Sequence, residues 1–395
     1  MDWEIQKAED FCVGVTDGTH DSPKVVESGR YLITSKHLGE YEIDFSSAKL
    51  ISEEDYKKVI SRSKVAQWDI LFSMIGTIGN TYLEKNETVD YACKNIGIFQ
   101  MGGDKEKAYW LYYYLKSPQA CEYIGSQLRG STQQYVPLGE LRAWPIPVPN
   151  ETIRRKIVEV LKVIDEKINT NNKINRNLSE QAQAYFDELF IQNASAEWKE
   201  GTLSDVGSIV AGGTPFKSNQ EYYTDNGIAW ITPKDLSVDK SVFISHGEND
   251  ITELGLQKSS ATMMPAGTVL FSSRAPIGYI AIAANDICTN QGFKSVVPNG
   301  NVGTSYVYYL LKQLLPTIEN MASGSTFKEI SGSAMKIVPT VIPDDETLKR
   351  FSDFCDPIMK QIWKNEQESK RLVELRDSLL PKLMSGDLDV SDLDI

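Results

Sequence analysis

The segment Ile33-Thr-Ser-Lys-His-Leu38 decides the fold, because it occurs again as Ile231-Thr-Pro-Lys-Asp-Leu236. Four further segments are repeated in the same order: Asp69-Ile-Leu-Phe-Ser and Thr268-Val-Leu-Phe-Ser, Cys93-Lys-Asn-Ile-Gly and Cys288-Thr-Asn-Gln-Gly, Tyr112-Tyr113 and Tyr308-Tyr309, Gly130-Ser-Thr and Gly324-Ser-Thr. Each copy lies roughly 194 to 199 residues after its partner. One unit is therefore duplicated within the chain. Two similar surfaces suit a two-part target better than a single catalytic pocket does.

The size and composition of the chain fit two packed domains. With 395 residues the chain is too long to fold around a single hydrophobic core, and its content of 41% hydrophobic residues is enough for globular packing. The five cysteines are odd in number and include no Cys-x-x-Cys, which predicts reduced, buried thiols in a cytosolic protein. The first residues do not have the pattern of a secretory signal, and no apolar run is long enough to span a membrane. We therefore expect a soluble, cytoplasmic protein.

The charge balance is unfavourable for nucleic acid at first sight. The chain has 41 basic and 54 acidic residues, a net charge of −13, and each of its segments is net acidic. Affinity for DNA comes mostly from Lys and Arg that neutralise phosphates. Any DNA binding must therefore use basic residues clustered on one face, or a partner protein that supplies much of the attraction.

The order of patterns predicts an α+β protein with four segments. The copies at residues 1–149 and 197–343 contain strand, Gly turn and strand patterns, a short helix and a Pro-rich exit, so each predicts a β-rich globular domain. Residues 150–196 contain no Gly or Pro, and their apolar side chains recur at steps of three and four. About 38 helical residues would span roughly 57 Å. A helix of that length needs a long partner.

Residues 344–395 supply that partner. Their apolar stripe repeats the first one, and Asn365 follows Asn171 by the repeat distance. We expect the two helices to pack antiparallel as a coiled coil, with the two asparagines fixing the register. Pro357 has no counterpart and predicts a kink or the start of a new helix. The alternative, two exposed spacer helices, would leave both apolar stripes in water.

The sequence lacks the motifs of common enzymes. No Gly-x-Gly or Gly-x-x-x-x-Gly-Lys occurs, so the dinucleotide, S-adenosylmethionine and P-loop phosphate-binding loops are missing. His20, His37 and His246 are scattered without the spacing of metal ligands, and no Asn-Pro-Pro-Tyr-like motif occurs. Binding is therefore the stronger hypothesis, with no metal and no cofactor.

The repeated motifs resemble those of a known family. Gly212-Gly-Thr-Pro, Trp230-Ile-Thr-Pro-Lys-Asp-Leu, Phe271-Ser-Ser-Arg-Ala-Pro-Ile-Gly and Gly324-Ser-Thr-Phe-Lys-Glu-Ile are similar to the second half of the specificity subunit of type I restriction-modification systems. Asp17-Gly-Thr-His-Asp-Ser-Pro is similar to the first half. The resemblance covers essentially the whole chain.

The resemblance implies a non-catalytic, sequence-specific DNA-binding subunit. In that family two target-recognition domains each read one half of a bipartite, gapped sequence in double-stranded DNA. The helices hold the domains apart and dock two adenine methyltransferase subunits and, in the full complex, restriction translocase subunits. S-adenosylmethionine is then expected only on the methyltransferase. Two alternatives remain: an assembly scaffold whose recognition domains have decayed, and a cryptic enzyme fused to a recognition unit.

Comparison of the two copies selects candidate DNA contacts, because residues that position the backbone should recur whereas base readers should differ. The recurring candidates, for phosphate or loop-shaping roles, are Lys36 with Lys234, Ser131 with Ser325 and Thr132 with Thr326. The differing candidates, for base reading, are His37 against Asp235, Gln133 and Gln134 against Phe327 and Lys328, and Ile75 against Arg274. Nearby polar candidates are Lys24, Arg129, Lys217, Gln291 and Lys294.

Each candidate also has a structural interpretation. A Ser-Thr pair after Gly is typical of a capped turn, Gln291 could satisfy buried backbone, and Lys294 could be a solvated charge. The aromatic residues of Trp110 to Tyr114 and of Tyr306 to Tyr309 could be mistaken for a base-stacking platform. Their recurrence at helical spacing predicts core packing instead.

Overall fold

A computed structural model describes residues 3–324 and 328–393 of the chain. It divides into two compact units, the first made of residues 1–169 and 370–395 and the second of residues 170–369. Both units combine sheets with helices, so the predicted α+β class is confirmed. The assignment of residues 150–196 and 344–395 to separate spacer domains stays a prediction.

The first unit contains nine strands and five short α-helices among the described residues. The strands are β1 (Glu4–Lys7), β2 (Gly14–Asp17), β3 (Arg30–Ile33), β4 (Lys49–Ile51), β5 (Ile70–Ser73), β6 (Thr81–Leu83), β7 (Tyr91–Cys93), β8 (Ile96–Gln100) and β9 (Pro145–Val148). The helices are α1 (Ala8–Phe11), α2 (Glu53–Ser63), α3 (Lys105–Leu115), α4 (Pro118–Ser126) and α5 (Leu138–Arg142). Helix α6 (Glu151–Asp187) follows and ends in a π-helical turn at Glu188–Gln192.

Local sequence accounts for where the short helices begin. The side chain of Ser52 accepts a hydrogen bond from the Asp55 amide at the start of α2. Asp104 caps α3 in the same way, and Ser117 caps α4, in which proline is the first residue. These side chains satisfy amide groups that have no partner within the helix.

The sheets of the first unit have a mixed arrangement. A four-stranded sheet has the order β2-β8-β5-β6, and a three-stranded sheet has the order β4-β3-β7. Strand β3 runs parallel to β7, whereas the pairs in the four-stranded sheet are antiparallel. Strands β1 and β9 form a separate antiparallel pair, so the Pro-rich exit is an extended strand.

The second unit contains eleven strands and, before α12, five α-helices among the described residues. The strands are β10 (Lys199–Thr202), β11 (Gly207–Ala211), β12 (Tyr223–Thr224), β13 (Ile228–Ile231), β14 (Phe243–Ile244), β15 (Asp250–Ile251), β16 (Val269–Ser273), β17 (Ile277–Ala283), β18 (Cys288–Thr289), β19 (Lys294–Pro298) and β20 (Pro339–Ile342). The helices are α7 (Leu203–Val206), α8 (Pro233–Val238), α9 (Glu253–Gln257), α10 (Thr304–Met321) and α11 (Gly332–Lys336). Helix α12 (Asp345–Ser385) follows.

The sheet order of the first unit recurs in the second. The order β11-β19-β16-β17 matches β2-β8-β5-β6, and β14 extends this sheet. The order β15-β13-β18 matches β4-β3-β7, with the parallel pair β13 and β18 at the position of β3 and β7. The terminal pair β10 and β20 matches β1 and β9. The internal repeat predicted from sequence is therefore a repeat of structure.

The long helices contribute to the core of each unit. In the first unit Lys156 of α6 bonds to the Ser391 carbonyl and Asp165 pairs with Arg376, so the start of α6 and the end of α12 run antiparallel. Ile157, Leu161 and Leu383 are buried in the same cluster.

In the second unit the end of α6 packs on the start of α12, again antiparallel. The amide of Asn171 donates to Glu368 Oε2 at 2.9 Å, and that of Asn365 donates to Asn175 Oδ1 at 2.8 Å. Phe186 and Phe351 lie together in the core. The alternative of two exposed spacer helices is therefore wrong. Helix α12 continues through Pro357, because buried Cys355 and Met359 hold both sides in one core, so no new helix starts there.

The repeated aromatic residues are core residues, as predicted. Trp110, Tyr113, Tyr306 and Tyr309 are buried inside their units. The prediction of buried thiols holds for four cysteines, but Cys121 is exposed on α4. Among the described residues, none of the helices has both the length and the hydropathy that a membrane span needs.

Candidate nucleic-acid interface

A hairpin turn with positive φ at two equivalent positions follows β5 in the first unit and β16 in the second. In the first unit Gly76 and Gly79 connect β5 to β6 with φ of 79° and 96°. In the second unit Ala275 and Gly278 occupy the equivalent places after β16, with φ of 52° and 97°. A left-handed conformation is unfavourable for alanine, and such residues cluster at functional sites. The residue just before each turn is Ile75 or Arg274.

A closed loop is attached beside this hairpin in each unit. In the first unit Arg129 and Tyr135 exchange two backbone hydrogen bonds of 2.9 Å, and Tyr135 also bridges to Ile75. In the second unit Ser323 and Glu329 exchange the same bonds, and Glu329 bridges to Arg274. The two ends of the loop are therefore joined at equivalent backbone positions in the two units.

The predicted loop residues lie on these loops. Ser131, Thr132, Gln133 and Gln134 are exposed on the first loop, and the neighbouring Arg129 pairs with Glu140 at 3.4 Å. Lys328 is exposed on the second loop. The predicted contacts Ser325 and Thr326, together with Phe327, lie outside the described residues.

His37 and Asp235 have an equivalent structural task in the two units. The Thr34 amide donates to His37 Nδ1 at 2.8 Å, and the Thr232 amide donates to Asp235 Oδ2 at 2.7 Å. Each side chain thereby caps the turn that follows β3 or β13. His37 is only 3% exposed, so its ring is not available at the surface. The caps leave the neighbouring Lys36 and Lys234 exposed.

A cleft in the second unit collects several predicted contacts. It has a volume of about 630 Å³ and is lined by Lys217, Lys234, Asp235, Arg274 and Gln291. Three cations thus face two carboxylates, those of Asp235 and Glu248. Lys234 Nζ lies 2.6 Å from Glu248 Oε2, and the Thr214 hydroxyl donates to Gln291 Oε1.

The cleft also contains polar residues that the sequence comparison missed. The side-chain amides of Gln220, Asn249 and Asn290 line it together with Gln291. Trp230 lies beneath, where its indole N–H donates to the Gly213 carbonyl at 3.0 Å. Gln220 begins a 3-10 turn and Asn249 lies in a loop, and neither segment has a matching motif in the first copy, so the comparison of copies had no signal for them. Amides and cations of this kind bond to base edges and phosphates.

Lys294 is buried rather than solvated. Its side chain is 10% exposed, and burial lowers the pKa of its ammonium, an effect that Glu329 at 3.6 Å partly opposes. Its Nζ lies 3.4 Å from the Ser273 hydroxyl and 3.4 Å from the Gln291 carbonyl. Lys294 therefore belongs to the wall behind the cleft.

The first unit has a different cleft. It has a volume of about 640 Å³ and lies between α2 and the loop that contains His20 and Ser22. Asp17, which is buried, pairs with His20 at 2.9 Å and with Arg62 at 3.2 Å beside it. Lys24 is exposed and directly follows Pro23, which lines this cleft, but Lys24 does not line the cleft itself. The other predicted contacts of this unit do not line it either. Among the described residues, no group of three or more metal-ligand side chains could hold a metal ion.

Comparison with known proteins agrees with this arrangement of two equivalent domains. A family model for the type I restriction modification DNA specificity domain matches the chain twice, over residues 23–180 and 195–374. The chain belongs to this family of DNA specificity domains.

Two curated relatives carry the name of specificity subunit. The type I restriction enzyme MjaIX specificity subunit of Methanocaldococcus jannaschii is 38% identical over 196 residues, which are 48% of this chain and 45% of that protein. The HindI specificity subunit of Haemophilus influenzae is 22% identical over 83% of this chain and 88% of that protein. The chain thus spans less than half of the first relative and most of the second.

A solved structure shares the fold. The S subunit of a type I restriction-modification system from M. genitalium matches 96% of this chain and 96% of its own length, with a TM-score of 0.59 and 17% identity. This likeness concerns the fold alone.

Proposed function

We propose that the chain is the subunit that selects the DNA target of a type I restriction-modification system. Each unit reads one half of a bipartite, gapped sequence in double-stranded DNA. The chain has no methyl-transfer activity of its own and directs two adenine methyltransferase subunits, which carry S-adenosylmethionine, to the target. In a larger assembly it also positions restriction translocase subunits. These steps take place in the cytoplasm.

The cleft of the second unit is the observation that carries this proposal. It combines Lys217, Lys234 and Arg274 with four side-chain amides on one polar surface. Guanidinium and amide groups form paired hydrogen bonds with purine edges, and lysines bond to phosphates. A scaffold with decayed recognition domains has no need of such a set.

The negative charge of the chain bears on how strongly it binds DNA without a partner. With a net charge of −13, the chain repels DNA at long range. We infer that the methyltransferase subunits supply basic surface, so that affinity for DNA is weak for the chain alone and rises in the complex.

Selection from a random DNA library tests the function. The chain and its cognate methyltransferase, purified as a complex, should enrich two short sequences at a fixed separation. Mapping of methylated adenines in the host genome should find the same motif. Enrichment of no motif would support the scaffold alternative, and methyl transfer by the chain without its partner would favour the enzyme.

A further inference from the structure

Three equivalent positions beside the hairpin turn differ in chemistry between the two units. Their equivalence follows from the backbone, because Val136 N bonds to the Met74 carbonyl at 2.9 Å and Ile330 N bonds to the Ser273 carbonyl at 3.1 Å. The bridge of Ile75 to Tyr135 is likewise matched by the bridge of Arg274 to Glu329. Met74, Ile75 and Tyr135 thus correspond to Ser273, Arg274 and Glu329.

A fourth position changes with them. Phe99 pairs with Ile70 in the first unit, and Val296 pairs with Val269 in the second. The residues two places earlier, Gly97 and Lys294, are therefore equivalent. A Cβ on Gly97 would lie 2.5 Å from Leu141 and 3.4 Å from Met74, so this site is closed by apolar packing. The second unit has a lysine there.

In the second unit the side chains at these positions form ionic contacts. Glu329 reaches Arg274 Nη1 with Oε2 at 3.3 Å and Lys294 Nζ with Oε1 at 3.6 Å. The Lys294 ammonium also lies 3.4 Å from the Ser273 hydroxyl. Because Lys294 is buried, it anchors one carboxylate oxygen of Glu329 inside the unit. The other oxygen is held toward the cleft, where it contacts Arg274.

We propose that Arg274 reads a guanine in the half-site of the second unit and that Glu329, anchored by Lys294, is the positioning residue for its guanidinium. This inference rests on the proposed function. The contact with Glu329 uses Nη1, and the guanidinium has further N–H groups for the O6 and N7 acceptors that guanine presents in the major groove. In the first unit Ile75 occupies the place of Arg274, so this contact belongs to one half-site only.

Substitutions tested in the complex with the cognate methyltransferase distinguish reading of one guanine from a general contribution to DNA binding. We expect Arg274→Ala and Arg274→Lys to lower the preference for one guanine in one half-site by about tenfold or more, since each bidentate contact carries discrimination of that order. Glu329→Gln should lower the preference at the same guanine and leave the other positions unchanged. Lys217→Ala, the matched control in the same cleft, should weaken binding about equally for all sequences.

The outcomes separate this inference from the proposed function. If the wild-type complex enriches no motif, both are overturned. If the wild-type complex enriches a bipartite motif, two results overturn the inference alone. One is an Arg274→Ala variant with unchanged base preferences. The other is a Glu329→Gln variant that loses base preference equally at all positions. If Glu329→Gln fails to fold, Glu329→Gln with Lys294→Met removes the buried ammonium as well and should show the same loss at one guanine.

Discussion

Arg376 and Asp165 form an ion pair in the interior of the first unit, with 2.8 Å between Nη1 and Oδ1 and side chains only 10% and 7% exposed. The same Nη1 lies 2.7 Å from Glu40 Oε1, and the Tyr41 hydroxyl donates to Asp165 Oδ1 at 3.2 Å. This group connects α6, α12 and the loop after β3. Removal of one partner leaves a buried charge without compensation, which is far less favourable than removal of both.

We therefore expect Arg376→Met to lower the free energy of unfolding by about 3 to 5 kcal/mol. The double variant Arg376→Met with Asp165→Leu should recover most of that loss, since Glu40 keeps its contact with Lys116 at 2.6 Å. Urea unfolding measures both effects. Arg30→Met is the matched control, because its pair with Glu53 is exposed to solvent and should contribute little to stability. Equal losses in the single and double variants would contradict the prediction.

A second prediction concerns pH and Glu366 in the second unit. Burial raises the pKa of this carboxyl from 4.5 to about 7, although the amides of Val242 and Phe243 donate to it at 2.7 Å and 3.2 Å. The folded protein thus holds this proton more tightly than the unfolded chain. The contribution of Glu366 to stability is therefore largest at low pH and is lost as the pH rises from about 4.5 through 7.

Relative to Glu366→Gln, the wild-type protein should lose about 2 kcal/mol of unfolding free energy between pH 5 and pH 8. Chemical unfolding at several pH values measures this difference. The exposed Glu319→Gln on α10 provides the baseline for loss of one surface carboxylate. A difference between wild type and Glu366→Gln that stays constant with pH would show that folding does not raise the pKa of Glu366.

A third prediction concerns the loop between Arg129 and Tyr135 in the first unit, and it distinguishes an effect on DNA recognition from an effect on protein stability. Gln133→Ala and Gln134→Ala should change unfolding free energy by less than about 0.5 kcal/mol, because both side chains are exposed. In the complex with methyltransferase they should change the preference at one or two neighbouring base pairs, which library selection detects.

Gly130→Ala tests the shape of the same loop. A Cβ there would lie 2.4 Å from the Gln133 carbonyl oxygen, on a residue with φ of 93°. This variant should distort the loop and weaken recognition of the whole first half-site. Unchanged base preferences in all three variants would remove the loop from the proposed interface.

A fourth prediction concerns the length of α6, which passes along the chain from residues of the first unit into residues of the second. Insertion of four residues near Asn171 adds about one helical turn, or roughly 6 Å. It should lengthen the gap in the DNA target by one or two base pairs, at about 3.4 Å each, without altering either half-site. Four residues inserted after Gly300, in an exposed turn, should leave the gap unchanged. Altered half-sites with a constant gap would refute a spacer role for α6.

Periodicity was sufficient to predict the parts of the fold that depend on local sequence. The absence of Gly and Pro after Asn150 predicts a helix, and α6 extends over 37 residues. The strand, Gly turn and strand pattern after Asp69 corresponds to β5 and β6. These features follow from backbone conformation and apolar spacing, which neighbouring residues determine.

The candidate contacts were harder to predict, since divergence between copies has more than one cause. His37 and Asp235 differ in the two copies, yet both cap a turn that begins with threonine. The spacing of Thr232 and Asp235 is a capping signal that could have indicated this role. The repeated motif matches Gly97 to Gly292, whereas strand pairing matches Gly97 to Lys294, because Gln291 and Gly292 form an additional turn before β19. Only long-range pairing reveals such a shift.

The composition of the first unit has a consequence for synthesis on the ribosome. Residues 170–369 form one continuous unit, whereas residues 1–169 are completed by residues 370–395, which contribute buried Leu380, Leu383 and Val390. The unit that emerges first therefore waits until residues 370–395 are made, and the unit that emerges second has all its residues sooner. The nascent chain should acquire protease resistance in the second unit before the first. At roughly 5 to 20 residues per second, the first unit stays incomplete for ten seconds or more after its residue 169 is translated.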